Sequence, residues 1–322
     1  MLLERGHEVT GTDTDFFRGC DFGGRIPEVP DLGKDIRDLD AGDLDGFDAL
    51  VHLAALSNDP LSDYEPRLTH EINETASVRL AENAKQARVP RFVFASSCSV
   101  YGLGSRDLLT EESACTPLTA YARSKLNVER VLSNVGDDGF ATTMIRAGTV
   151  YGISARMRFD LVLNNLVAWA VATARIHLNS DGLAWRPLVH VSDVARAYLA
   201  VLEADPALVR GETFNAGNTG QNYRIRELAA MVRQHLPETS IELAERAPAD
   251  RRNYRVSCDK IAATLASYRT AWTAAAGIDE LHRFLSEREV GVSDFEGPAC
   301  NRLQHLRRLV EDGRLTPALR WA

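Results

Sequence analysis

Two short stretches carry residue types that can do chemistry together. Ser96-Ser97-Cys98-Ser99-Val100-Tyr101-Gly102 follows Arg91-Phe92-Val93-Phe94-Ala95, an apolar run with Pro90 before it that predicts a buried strand ending near Ser97. Tyr121-Ala122-Arg123-Ser124-Lys125 opens a segment in which Leu126, Val128, Val131 and Leu132 recur at helical spacing. Tyr121 and Lys125, four residues apart, therefore share one helix face and can meet. A nearby ammonium favours the phenolate, bringing a phenol that ionises near pH ~10 towards neutrality, where it can act as a general base. A serine hydroxyl from the strand end would supply a second hydrogen bond to the same substrate oxygen. The chemistry these residues suit is proton removal from an alcohol while hydride leaves its carbon.

Tyr-x-x-x-Lys alone occurs by chance on many solvated helices, but Ser-Ser-x-x-Val-Tyr-Gly upstream of it makes the pattern specific. With both, the chain resembles the extended short-chain dehydrogenase/reductase superfamily and, within it, the nucleotide-sugar epimerases and dehydratases, from residue 1 to about residue 290. The resemblance implies Ser97, Tyr121 and Lys125 as catalytic residues, NAD as cofactor and a nucleotide-diphosphate sugar as substrate. It implies an α/β fold: a Rossmann-type doubly wound parallel sheet with a smaller mixed substrate lobe. Residues 1–155, with 188–218 returning to them, are expected to bind NAD. Residues 156–187 and 219–322 are expected to form the substrate lobe and a C-terminal helical extension. A homodimer through the helices bearing Asn73 and Tyr121 follows from the same resemblance.

Composition agrees with an enzyme of this kind. The 322 residues are 45% hydrophobic and 25% charged, enough for a large α/β domain and a smaller lobe. A net charge of −8 argues against a nucleic-acid or anionic-membrane surface. The five cysteines (Cys20, Cys98, Cys115, Cys258, Cys300) lack metal-ligand spacing, so no metal site is expected and a reduced, cytoplasmic protein is. Glu4 and Arg5 stand where a secretory signal needs its apolar core, and no membrane span is predicted.

Taken in order, Met1 to Gly6 reads as the last turn of a helix, and His7 to Asp13 as a strand ending in an acid. The resemblance places Asp13 on the adenosine ribose, roughly 20 residues after a glycine-rich turn, and counting back from Asp13 runs off the chain. The first strand and the glycine-rich turn are thus expected to be truncated, through a start site placed downstream or through a real loss of the phosphate cradle. A chain without them should fold and bind cofactor more weakly. Asp35 and Ile36 match the family pair that meets the adenine, although Asp35 also suits a helix N-cap. Leu53, Ala54 and Ala55 end the strand Phe47 to Ala55 with small residues where backbone can approach the cofactor, and His52 within it reads as packed. Asn73 matches an asparagine that holds the active-site strand end.

Farther on, Thr149 replaces the asparagine of the family's Arg-x-x-Asn-x-x-Gly. Asn165 and Leu166 fall in an Asn-Asn-Leu element whose amides touch the nucleotide diphosphate. Arg186 opens Arg-x-x-x-His-Val-x-Asp and is expected on a phosphate, for which its planar fork is suited, with a surface ion pair as the other reading. Asp193, at the end of that motif, reads as a helix cap. Asp250-Arg251-Arg252-Asn253-Tyr254 fits a second phosphate element, with Arg252 the better candidate. The tail from Ser293 is expected to pack on the substrate lobe or on a partner subunit.

The residues after Ser97 bear on the reaction. The 4,6-dehydratases resemble Thr-Asp-Glu-Val-Tyr-Gly, where this chain has Ser97-Cys98-Ser99 and no carboxylate. An epimerase working through a transient keto sugar is expected. A 4-ketoreductase, a dehydratase and a non-catalytic nucleotide-binding protein stand as alternatives. Asp13 favours NAD over NADP, with Arg18 as the counter-argument.

Overall fold

The computed structural model describes residues 1–22, 26–57, 59–104, 107–243 and 252–322. Its centre is a parallel sheet of four strands in the spatial order Leu50–His52, Arg91–Ser97, Ala141–Ala147, Glu212–Ala216. Pairing is in register from Leu50 opposite Phe92 to Ala147 opposite Ala216.

Side chains alternate along these strands, and the alternation assigns the helices. Phe92, Phe94 and Met144 meet Leu80, Val128 and Leu132, which come from the helices Ala76–Gln86 and Ala120–Val135. Val93, Ile145 and Phe214 meet Ala197 and Val201 of the helix Val191–Glu203 on the other face. Both faces are covered, as parallel sheets require, and the fold is the doubly wound α/β kind expected from the resemblance.

The strand expected over His7 to Asp13 is reduced to one parallel bridge, Gly11 opposite Asp31, with Gly11 N–H donating to Pro30 O at 2.7 Å. A cavity of about 380 Å³ separates Thr10–Asp13 from Leu50–Ala54. Paired on one side only, the segment lacks the neighbours that stabilise a ladder.

A second core gathers under a sheet formed by Thr149–Tyr151, Trp185–His190 and Asn222–Arg224. The helices Val162–Thr173, Ile225–His235 and Ala274–Glu287 pack there through Leu163, Val167, Leu228, Val232, Ile278 and Leu281.

The tail from Ser293 meets its expectation only in part: Phe295 and Cys300 are buried in the second core, whereas the C-terminal helix Arg302–Glu311 packs elsewhere. Leu306, Leu309, Leu315 and Leu319 are buried with Phe16 and Ile36 in the first core, beside the central sheet. Arg37 donates to the carbonyls of Ala318 (2.8 Å) and Leu319 (2.7 Å), and Trp321 Nε1 donates to Thr14 O at 2.6 Å. The helical stripe was legible, but its partner lies nearly the whole chain away. Among the described residues no helix is long and apolar enough to cross a membrane.

Candidate active site

The Arg91–Ser97 strand delivers Ser97 to the C-terminal end of the sheet, where its Oγ accepts from Ser99 N–H at 3.2 Å and starts a short turn. Gly102 closes that turn at φ +60°, and a Cβ there would lie 1.7 Å from Thr116 O. Only glycine lets the chain leading to Tyr121 come this close. Thr119 then caps the Ala120–Val135 helix by accepting from Ala122 N–H, fixing the turn that carries Tyr121.

Lys125 lies one turn on, 2% exposed, with its Nζ 4.5 Å from the Phe94 ring centre and 5.7 Å from that of Tyr121. Burial, partly offset by the Glu129 charge, pushes its ammonium down to about 7. The two groups expected to act together therefore share a face, and the lysine is poised between its two charge states near neutral pH.

A buried polar network holds these elements. Arg146 pairs with Glu129 at 2.7 Å and donates to Tyr101 Oη at 2.9 Å. Tyr101 donates to Asn215 Oδ1 at 2.8 Å, and Ser96 donates to Glu129. Arg146 is thereby committed to the interior. His52 donates or accepts at Ser77 Oγ (2.7 Å), and burial pushes it down to about 3, so it is neutral and structural, as the strand pattern implied.

Ser97, Tyr121, Asn165, Arg186 and Arg252, expected at the site from separate stretches, line one cavity of about 420 Å³. Arg186 is buried and donates to the carbonyls of Trp185 (2.8 Å) and Arg252, so the substrate-lobe arginines are tied to each other. Asp250 and Arg251 lie outside the described residues. The Ser99 hydroxyl, at the wall of this cavity, is buried without a hydrogen-bond partner among the described residues. Asp160 also reaches the wall, and the Arg158 fork holds it at 3.0 and 2.7 Å.

Leu166 differs from expectation. Its side chain is 3% exposed in the second core, and Asn165 N–H, one residue earlier, already bonds to Leu161 O at 2.9 Å. The amides left open at this helix start are those before Asn165. Asp193 differs too. His190 caps the helix by accepting from Ser192 N–H, while the Asp193 carboxylate accepts from Ala271 and Trp272 N–H at 3.0 to 3.2 Å. A carboxylate in a first turn reads as a cap in sequence; here it fastens a distant loop.

A neighbouring cavity of about 280 Å³ is lined by Asp13, Asp35, Ile36, Leu53, Ala54 and Ala55, all six expected cofactor residues outside the two helices. Asp13 is partly engaged, accepting from Asp15 N–H at 2.7 Å. Arg18, the argument for NADP, is held by Asp15 at 2.5 Å. Burial pushes Asp35 up, but Arg37, bonded to both its oxygens, more than offsets this and keeps it ionised. Asn73 reaches neither cavity. It sits in a π-helical turn, Glu71–Thr75, and clamps both backbone groups of Leu56 at 2.8 and 3.1 Å, so it positions the loop that carries Leu53 to Ala55.

Ser57 lines both cavities, and a wider one of about 720 Å³ opens beyond Asp13 and Asp35 against His305, Arg314, Arg320 and Trp321. The groove so formed has small residues at its floor and acids at one end. Sequence reasoning missed Ser57, Arg158 and Arg302, which lie outside any motif and reach the groove through contacts distant in sequence.

A doubly wound α/β sheet, a Ser-Tyr-Lys set at its strand ends and a groove leading from two acids to that set define a nucleotide-dependent oxidoreductase-type enzyme. The sequence matches the NAD dependent epimerase/dehydratase family over residues 1–217, and the chain belongs to that family. It is 30% identical to an uncharacterized UDP-glucose epimerase of Bacillus subtilis over 67% of this chain and 71% of that protein. It is also 30% identical to UDP-glucose 4-epimerase 2 of Arabidopsis thaliana, over 74% of this chain and 72% of that one. Among solved structures, an NAD-dependent NDP-hexosamine 5,6-dehydratase of tunicamycin biosynthesis shares the fold, with TM-score 0.78, 21% identity and coverage of 89% and 92% of the two chains.

Proposed function

We propose that the protein is an NAD-dependent epimerase of a nucleotide-diphosphate sugar, acting through a transient keto sugar. The observation that carries this is the single cavity in which Ser97 and Tyr121 face Asn165, Arg186 and Arg252. The arginines bind the diphosphate and leave the sugar to reach the hydroxyl pair. Tyr121 as phenolate takes the proton of a sugar hydroxyl and later returns it. Ser97 hydrogen-bonds the same oxygen, and Lys125, beneath the Tyr121 ring, favours the phenolate when charged. Asp13, Asp35, Ile36 and the Leu53 to Ala55 backbone would hold NAD, which would supply a reversible hydride acceptor. With its diphosphate anchored, the keto sugar turns, so that the hydroxyl is regenerated on the opposite face.

An epimerase is favoured over a dehydratase because elimination of water needs a further acid and base at the strand end. Cys98 there is 1% exposed, its thiol donates to Arg146 O at 3.3 Å, and burial pushes it well above its usual range. Incubation with UDP-glucose and NAD, followed by NMR, is expected to give the epimeric sugar with no net loss of water. A keto-deoxy sugar would overturn the epimerase reading in favour of a dehydratase.

The assembly we propose is a cytoplasmic homodimer. Support comes from the Asn73 and Tyr121 helices, which pack side by side, with Asn127 donating to Glu74 at 3.1 Å, and leave Val131 38% exposed. Sedimentation equilibrium tests it, and a monomer across the working concentration range would refute it.

A further inference from the structure

Arg302 is a guanidinium with no carboxylate in ion-pair contact among the described residues. It opens the C-terminal helix, which Asn301 caps by accepting from Gln304 N–H at 3.1 Å. Its Nη1 donates to Ser57 Oγ at 2.7 Å, and its charge centre lies 5.1 Å from the Phe17 ring. Among the described residues no acid forms an ion pair with it. Two cations lie near it, Arg156, held only at 3.5 and 3.4 Å by Asp15 and Asp21, and Arg158, paired with Asp160. The carboxylates of Asp160 and Asp13 attract its charge without forming an ion pair with it among the described residues. Burial, with the charges of Arg158 and Arg156, pushes Arg302 down to about 10, an unusual depression for a guanidinium.

Its position gives this charge a use. Arg302 and Arg156 line the cavity shared by Asp13, Asp35 and Leu53 to Ala55, and Ser57, to which Arg302 is bonded, also lines the cavity of Ser97 and Tyr121. A dinucleotide with adenosine on the two acids and its other nucleoside against Tyr121 brings its pyrophosphate to this midpoint. Those two phosphates carry two negative charges, and a guanidinium with one donor used has others left to give.

We propose that Arg302, oriented by Ser57 and reinforced by Arg156, binds the pyrophosphate of the dinucleotide, making the C-terminal helix part of the cofactor site. The inference rests on the cofactor reading above. It also gives the tail's docking on the cofactor side a consequence, since the helix that covers Phe16 and Ile36 delivers the cation.

The test is calorimetric titration of NAD, ADP-ribose and adenosine into the wild-type chain, Arg302→Met and Arg302→Lys. Loss of a charge-assisted contact is expected to weaken NAD and ADP-ribose by about 10- to 100-fold in Arg302→Met. Adenosine should bind unchanged, the melting temperature without ligand should be equal or higher, and Arg302→Lys should fall between. Ser57→Ala should show a smaller loss with the same ligand pattern, and carries the test if Arg302→Met does not fold. Unaltered NAD affinity in the arginine variants, or an equal loss of adenosine, would overturn the inference while leaving NAD as cofactor. Failure of the wild type to bind NAD would overturn the cofactor reading and this inference together.

Discussion

The two ends of the groove are built from different materials. At one end, Ser97 and Tyr121 are set by a buried network in which Glu129 and Arg146 are about 5% and 6% exposed. At the end lined by Asp13 and Asp35, the outermost tie of the tail is a pair that water reaches, Arg320 with Asp38 at 35% and 55% exposure, lying outside the buried Arg37–Asp35 pair. A buried pair is unscreened and intolerant of losing one member, whereas an exposed pair contributes little and less with salt. Ser97 and Tyr121 are thus set by contacts that water does not reach, whereas the outermost tie of the tail, beyond the buried Arg37, is one that solvent can modulate.

The sharpest way to break this comparison is at the hydroxyl-facing phenol. Tyr121→Phe removes one oxygen and is expected to lower turnover of UDP-glucose by about 10²- to 10⁴-fold, the usual share of a general base, with nucleotide-sugar affinity nearly unchanged. Steady-state kinetics and titration check it, and a fully active variant would end the assigned mechanism.

Next in size is Glu129→Gln. It leaves the Arg146 guanidinium buried without its counter-charge, at an expected cost of about 3–5 kcal/mol in denaturant unfolding. The charge of Glu129 also holds Lys125 up, so the variant should lower the pH at which Lys125 loses its proton.

Lys125 supplies a pH signature for the same end. Its folded value of about 7 lies below the unfolded lysine value of about 10.4. Between these the unfolded chain holds a proton that the folded chain lacks, so stability rises with pH across that window, and the cost of burying the charge is fully felt only below it. Lys125→Met should abolish this rise and stabilise the protein at pH ~7 by up to a few kcal/mol, while removing activity. Unfolding curves at several pH values, parallel in wild type and variant, would contradict the buried position of the ammonium.

What could be read in advance follows the same division. Ser97, Tyr121 and Lys125 were legible because strand alternation and helical spacing are local. The meeting of Asn165, Arg186 and Arg252 in the cavity of Ser97 and Tyr121 was legible because each lies in a short pattern. Leu166 was misplaced by the same pattern, since a motif does not say which of its amides the helix has already used. The contacts of Asp193 and Arg302 were hidden because their partners, Ala271 with Trp272 and Ser57, are 78, 79 and 245 residues away. The docking of the tail is likewise a property of the folded surface, and its stripe of leucines fits any apolar groove.

The smallest expected effect sharpens the comparison from the adenosine side. Arg320 reaches Asp38 through both terminal nitrogens and Asp35 at 3.4 Å, but Asp35 is already satisfied by Arg37. Removing Arg320 leaves no buried charge unpaired, because Asp38 is more than half exposed. Arg320→Ala should therefore cost about 1 kcal/mol or less, and the difference should fade as salt is raised to ~1 M, where screening acts within about 3 Å. Glu129→Gln, by contrast, should keep most of its effect at the same salt, because solvent ions do not reach the Arg146 pair. Denaturant midpoints for both variants at low and high salt decide the matter. A salt-insensitive loss at Arg320, or a loss at Glu129 that vanishes with salt, would show that the two ends of the groove are held in the same way.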